Sequence, residues 1–201
     1  MPEALLASWA QLGFNPQEFL GDVGLHTPAG EQGQVPLAQL WARPTADING
    51  IYGGYQGEGT KTVIPAQATA KLTFRLVPGQ DPQKIVKNFE HFVTARLSPD
   101  AKAEFKHFGA APGFAMDLNA PFMRAARDAL AAEFGKPAAL VGCGASIPVV
   151  EAFKTHLGLE TLLAGFGLDD DCIHSPNEKF ELACFHRGTR AHARLLAAFA
   201  T

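Results

Sequence analysis

Cysteine is scarce in this sequence and badly spaced for either of its structural uses. The three residues, Cys143, Cys172 and Cys184, are odd in number and far apart. That excludes a self-contained disulfide framework or a CxxC zinc site. Free thiols in a reducing cytoplasm are the expectation. Charge is also sparse: 18% of residues are Asp, Glu, Lys or Arg, and the net charge is -3. Neither nucleic acid nor an anionic membrane is expected as a partner. No apolar run approaches the roughly 18 residues of a membrane span, and the opening MPEALLASWAQLGF lacks the basic stretch of a secretory signal. No HExxH or HxH pattern occurs, so no histidine announces a metal site by spacing. Hydrophobic residues are plentiful at 47% of 201, enough for a true core.

The chain reads as three parts. Residues 1–40 are a helical or irregular lead-in, rich in Gly and Pro, expected to run over a surface. Residues 41–115 read as strand, strand, helix, strand. ADINGIYGGYQGEG suggests a strand and a Gly-rich turn. In QATAKLTFRL, Ala68, Ala70, Leu72, Phe74 and Leu76 alternate with polar residues, the pattern of a strand with one buried face. Asp81 and Pro82 open a helix whose stripe is Ile85, Phe89, Phe92, Val93 and Leu97. AKAEFKHFGAAPG reads as a further strand. This is an α+β unit like a ferredoxin-like fold without its first strand and helix.

Residues 116–201 alternate helices with short apolar strands, which predicts an α/β layer with a mainly parallel sheet. APFMRAARDALAAEFG is a helix with Asn119 as cap. AALVGC and ETLLAGFG are the strands. SIPVVEAFKTHLG is a helix capped by Ser146. The last helix carries Leu182, Phe185, Thr189, His192, Leu196 and Phe199 at helical spacing.

Four places in the sequence have the means for chemistry. GCGASIPVV follows an apolar strand and opens a helix. Gly142 and Gly144 permit close approach of a ligand, and Ser146 sits beside free N–H groups suited to a carboxylate; an N-cap role alone is the alternative. Arg75 lies on the polar face of its strand and could offer its guanidinium fork to a carboxylate. Thr62 stands where a turn enters that strand. His174, in DDDCIHSPNEKF, follows an apolar strand, at the end where α/β sheets place active sites. It fits a metal ligand and a plain loop histidine equally. A thiolate–imidazole pair of Cys143 and His174 is a further alternative.

Taken together, these segments resemble a known family. LWARPTADINGIYGGYQGEGTKTVIPAQATAKLTFRLVPGQDP resembles the lid segment of the dinuclear zinc peptidases that include carnosinase, the cytosolic dipeptidases and the acetylornithine and succinyl-diaminopimelate deacylases (metallopeptidase family 20). SIPVVEAF and GFGLDDDCIHSPNEKF resemble two segments of their catalytic domain. The matches run in family order over residues 38–200, nearest to the dipeptidase branch.

The resemblance implies that His174 is a ligand to one of two zinc ions. It implies that Thr62 and Arg75 contact substrate from the lid, and that Ser146 and Gly144 help hold the substrate's terminal carboxylate. It implies a homodimer formed through the lid and hydrolysis of dipeptides or N-acyl amino acids. The family's other metal ligands, its catalytic glutamate and a lid histidine precede the matched region. The expectation is therefore a C-terminal part of such an enzyme, inactive by itself and with no catalytic residue of its own. Where the dipeptidase branch has Arg-Glu-Gly-Gly, this chain has Gly142-Cys143-Gly144-Ala145. The competing expectation is a non-catalytic module for self-association and ligand binding, with exposed strand edges that invite pairing.

Overall fold

A computed structural model describes residues 3–144 and 147–200, which divide into two units. The first holds residues up to Phe114 together with Val141–Ala152; the second holds Ala115–Leu140 and Phe153 onward. The class is mixed helix and strand, as expected.

Three short helices open the first unit: α1 (Glu3–Ala10), α2 (Pro16–Gly21) and α3 (Pro36–Trp41). Asn15 caps α2 by accepting from the Gln17 N–H at 3.0 Å, with proline at the first position, where no amide donor is needed. The lead-in does more than run over a surface. Trp9, Leu20, Leu37 and Ala38 are buried, and Trp9 meets Trp41 edge to face, with centroids 5.0 Å apart. Apolar residues spaced among Gly and Pro did not look periodic, yet each short helix needs only one or two of them to dock.

Strands β1 (Thr45–Gly53) and β2 (Ala68–Arg75) pair antiparallel. Ile48 faces Leu72 and Gly50 faces Lys71, so Asn49 is the extra residue of a bulge. Helix α4 (Pro82–Thr94) is capped by Asp81, whose Oδ1 accepts from the Gln83 N–H at 2.9 Å. Phe89 of α4 meets Phe74 of β2 at 5.1 Å and Phe105 at 6.3 Å. The expected inward stripe holds except at Phe92, which is exposed beneath the Arg96 guanidinium, 3.5 Å from the ring centroid.

Helices α5 (Pro121–Phe134) and α7 (Leu182–Phe199) pack on each other in the second unit. α5 ends at Gly135, whose φ of 69° suits glycine. Its N-cap is Ala120 rather than Asn119, whose own N–H is taken by Asp117 Oδ1 at 2.9 Å. α6 (Pro148–Leu157) is divided between the units after Ala152.

The helix expected over the last segment is present as α7. The buried face of α7 is Gly188, Ala191 and Leu195, while Leu182, Phe185, Leu196 and Phe199 are exposed. At Gly188 a Cβ would stand 3.0 Å from the Phe166 ring, so the small residue there admits the Phe166 strap. The strands expected in AKAEFKHFGAAPG, AALVGC and ETLLAGFG carry no ladder among the described residues, where β1 and β2 form the sheet. A strand exists only where another offers its N–H and C=O groups. An apolar run is not sufficient without that partner.

Candidate functional site

His174 lies in a loop that the sequence closes from both ends. The segment begins at Leu168, makes one 3-10 turn at Asp169–Asp171, and returns at Lys179. Asp171 organises it. This side chain is buried, with only 1% of the residue exposed. Its Oδ2 accepts from the Leu168 N–H at 2.8 Å, and its Oδ1 from Lys179 Nζ at 3.1 Å. Its backbone carbonyl accepts from the Lys179 N–H at 3.0 Å. The N–H of Leu168 and the ammonium of Lys179 together hold the Asp171 carboxyl below the usual aspartate range. Lys179 also reaches Asp170 at 3.2 Å and Glu181 at 3.3 Å. With the Asp171 hydrogen bond as the largest cause, these carboxylates raise its pKa well above the usual lysine value.

Between these anchors the backbone is unusual. Cys172, His174 and Asn177 have φ of 53°, 63° and 62°, the left-handed region that residues with a Cβ seldom occupy. Each such residue costs on the order of 1–3 kcal/mol and persists only where its surroundings over-determine it. The Ser175 N–H donates to the Cys172 carbonyl at 2.9 Å, tightening the tip. His174 is exposed there. Beside it is an open cavity of about 480 Å³ lined by Gly167, Asp171, Ile173, Glu178, Lys179 and Phe180.

The strap leading into this loop is held on α7. Phe166 stacks on Phe134 with centroids 6.0 Å apart and meets His192 at 5.5 Å. Glu133 is bound by Arg190 at 2.7 Å and Arg194 at 3.1 Å, and the Arg190 hydrogen bond is the chief cause of its lowered pKa.

The other residues read from the sequence belong to the first unit. Thr62 is exposed in the connection between β1 and β2, and Arg75 ends β2 opposite Thr45. Gly142 and Gly144 have a packing reason to be glycine. A Cβ on Gly144 would stand 2.7 Å from the Leu40 carbonyl oxygen, and one on Gly142 would strike Trp41. Ser146 lies outside the described residues, and with it the expected helix cap. All three cysteines are free, with Cys143 and Cys172 exposed and Cys184 half-buried.

Among the described residues, no three His, Cys, Asp or Glu side chains come together as a metal site would require. His174 on its own does not complete one. The sequence reading did not find the clasp. The available signal was an acid and a base, Asp171 and Lys179, on either side of a Pro- and Asn-containing segment.

Residues 4–101 match the family described as "Peptidase dimerisation domain". The chain is 30% identical over 195 residues to the Cys-Gly metallodipeptidase DUG1 of Saccharomyces cerevisiae, covering 94% of this chain and 40% of that protein. It is 31% identical over 161 residues to the Beta-Ala-His dipeptidase of Rattus norvegicus, covering 78% and 32%. The solved structure of the yeast dipeptidase Dug1p superposes with a TM-score of 0.78 at 27% identity, over 99% of this chain and 42% of that one. An M20 family metallo-carboxypeptidase from Sulfolobus solfataricus, 22% identical, shares the fold with a TM-score of 0.83, over 98% and 45%. The chain therefore spans about two fifths of the yeast relative and a third of the rat one. No helix among the described residues is long and apolar enough to cross a membrane.

Proposed function

This chain belongs to the M20 metallopeptidase family, and from that premise we propose that it is the lid and C-terminal catalytic portion of a zinc-dependent dipeptidase. The domain division follows the same reading: residues 41–115 as lid, 116–201 as catalytic portion. The observation that carries the proposal is His174, exposed at the tip of a loop whose ends are clasped by a buried aspartate. An exposed imidazole on a pre-shaped loop suits a ligand that completes a site with groups from elsewhere.

In this reading His174 supplies one zinc ligand. Thr62, Arg75, Gly144 and Ser146 contact the substrate's polar ends, Arg75 through its bidentate fork. The zinc pair, when bound, would polarise the scissile carbonyl and activate water. Because the described residues do not complete a metal site, no hydrolytic step is assigned to this chain alone. Substrates of the class named in its relatives, dipeptides such as Cys-Gly or β-Ala-His, are the expected ones. Three free thiols agree with a cytoplasmic setting.

The test has two arms. The purified chain with added zinc should show no dipeptide hydrolysis. The same chain, substituted for the matching portion of the yeast enzyme, should support zinc-dependent hydrolysis that His174→Ala abolishes. Turnover by the chain alone, or a chimera indifferent to His174→Ala, would contradict the reading.

A second reading, self-association through the lid, is favoured by the match of residues 4–101 to a dimerisation domain and by the unpaired outer edges of β1 and β2 among the described residues. It is compatible with the first. Light scattering should give a dimer, and a monomer at high concentration would exclude it.

A further inference from the structure

We propose that Asp171 is the positioning residue of the His174 loop, clasping both ends of residues 172–178 and holding His174 in its left-handed conformation before any metal is bound. This rests on the reading of His174 as a metal ligand and adds the device that presents it. Asp171 is placed to hold the loop and not to act as a ligand itself. Both carboxylate oxygens are engaged, Oδ2 by the Leu168 N–H and Oδ1 by Lys179 Nζ, and the side chain is shut off from solvent. Its carbonyl takes the Lys179 N–H, so one residue fixes the entry and the exit of the loop. Lys179 is likewise committed, within 3.3 Å of the carboxylates of Asp170, Asp171 and Glu181.

The conformation needs such a clasp. Three non-glycine residues at positive φ, within six positions, would relax to ordinary backbone in a loop held only by the Ser175-to-Cys172 bond. With both ends fixed, the seven intervening residues must turn sharply, and left-handed residues allow it. A ligand set in place beforehand loses less entropy when metal arrives.

The experiment compares the metal-free chain with Asp171→Asn. At positive φ the intraresidue HN–Hα NOE is strong, and it should be so at Cys172, His174 and Asn177 in the parent chain. In Asp171→Asn these NOEs should fall to coil intensity. The Leu168 and Lys179 amides should exchange about tenfold faster or more, as expected for loss of a charge-assisted hydrogen bond. Amides of α5 and α7 should keep their protection. Unchanged NOEs and exchange overturn the proposal. So does a loss of protection shared equally by α5 and α7, which would make Asp171 a general structural residue. Should Asp171→Asn fail to fold, Lys179→Met reads the same clasp: its loop signals should loosen, and Lys179→Arg should keep them. An unmoved loop in Lys179→Met overturns the clasp. All these readings are taken without metal, so they do not depend on whether His174 binds zinc. That reading fails separately, through the chimera's indifference to His174→Ala.

Discussion

Two exposed loops of this chain are built in opposite ways. The His174 loop, from Leu168 to Lys179, is short, closed by a buried carboxylate, and bent through three left-handed residues. The connection between β1 and β2, residues 54–67, is longer; the Gly53–Ala68 pair of the ladder brings its ends together, and no backbone hydrogen bond within it is present among the described residues. Its internal ties are the Tyr55 hydroxyl donating to the Glu58 carbonyl at 3.2 Å and Lys61 Nζ 5.7 Å from the Tyr55 ring centroid. Val63 and Ile64 point apolar surface outward, Ile64 being 94% exposed. The difference is one of where order comes from. The first loop carries its own restraint, so its histidine is set in advance. The second is held at its base by the strand ladder and inside by the Tyr55 contacts, with no buried side chain among the described residues to fix its tip.

Breaking the platform beneath the first loop should have the largest effect. Met123→Ala, in the buried contact face of α5, should destabilise the second unit by about 2–5 kcal/mol, read by thermal unfolding. Phe166→Ala should cost less, about 2 kcal/mol, because Phe166 is half-buried. It should also loosen the strap that enters the His174 loop. Neither substitution should alter the amide exchange of residues 54–67.

Acid and alkali sharpen the comparison next. The Asp171 carboxyl is depressed in the folded chain. Its contribution is complete above the ordinary aspartate pKa of about 3.9 and is lost as pH falls through the lower folded value. The Lys179 pKa is raised. Its contribution is complete below the ordinary lysine value of about 10.4 and is lost as pH rises through the higher folded value. The His174 loop should therefore hold one conformation from about pH 4 to 10 and open only beyond those limits, as followed by its NOEs. The residue 54–67 connection has no such clasp and should show no matching transition. The smallest effect is expected from Ile64→Ser, within about 0.5 kcal/mol of the parent in stability. In the chimera the same change should raise KM if the connection contacts substrate.

How much of this was legible in the sequence depends on the range of the forces involved. The start of α4, with Asp81 and Pro82, and the end of α5 at Gly135 follow from local chemistry and were read correctly. The β1–β2 pair followed from alternation, but its bulge at Asn49 did not, because register is settled by both strands at once. The spacing on α7 showed a helix but not which face it buries. Gly188, Ala191 and Leu195 are the buried ones, and at Gly188 the neighbour that demands a small residue is Phe166, twenty-two positions away in sequence. Three segments were read as strands, two of them for their apolar runs, and hydrophobicity marks burial and not pairing. At the candidate site, His174 was found through its motif. Asp171 was not, because its burial depends on a loop closing across eight positions to Lys179.

The most direct test of the central claim is amide exchange on the metal-free parent chain. Protection is expected at Leu168, Asp171, Ser175 and Lys179, the four bonded amides of the His174 loop, and near-coil exchange across residues 54–67. Near-coil exchange at those four amides, with protection appearing only when zinc is added, would contradict it.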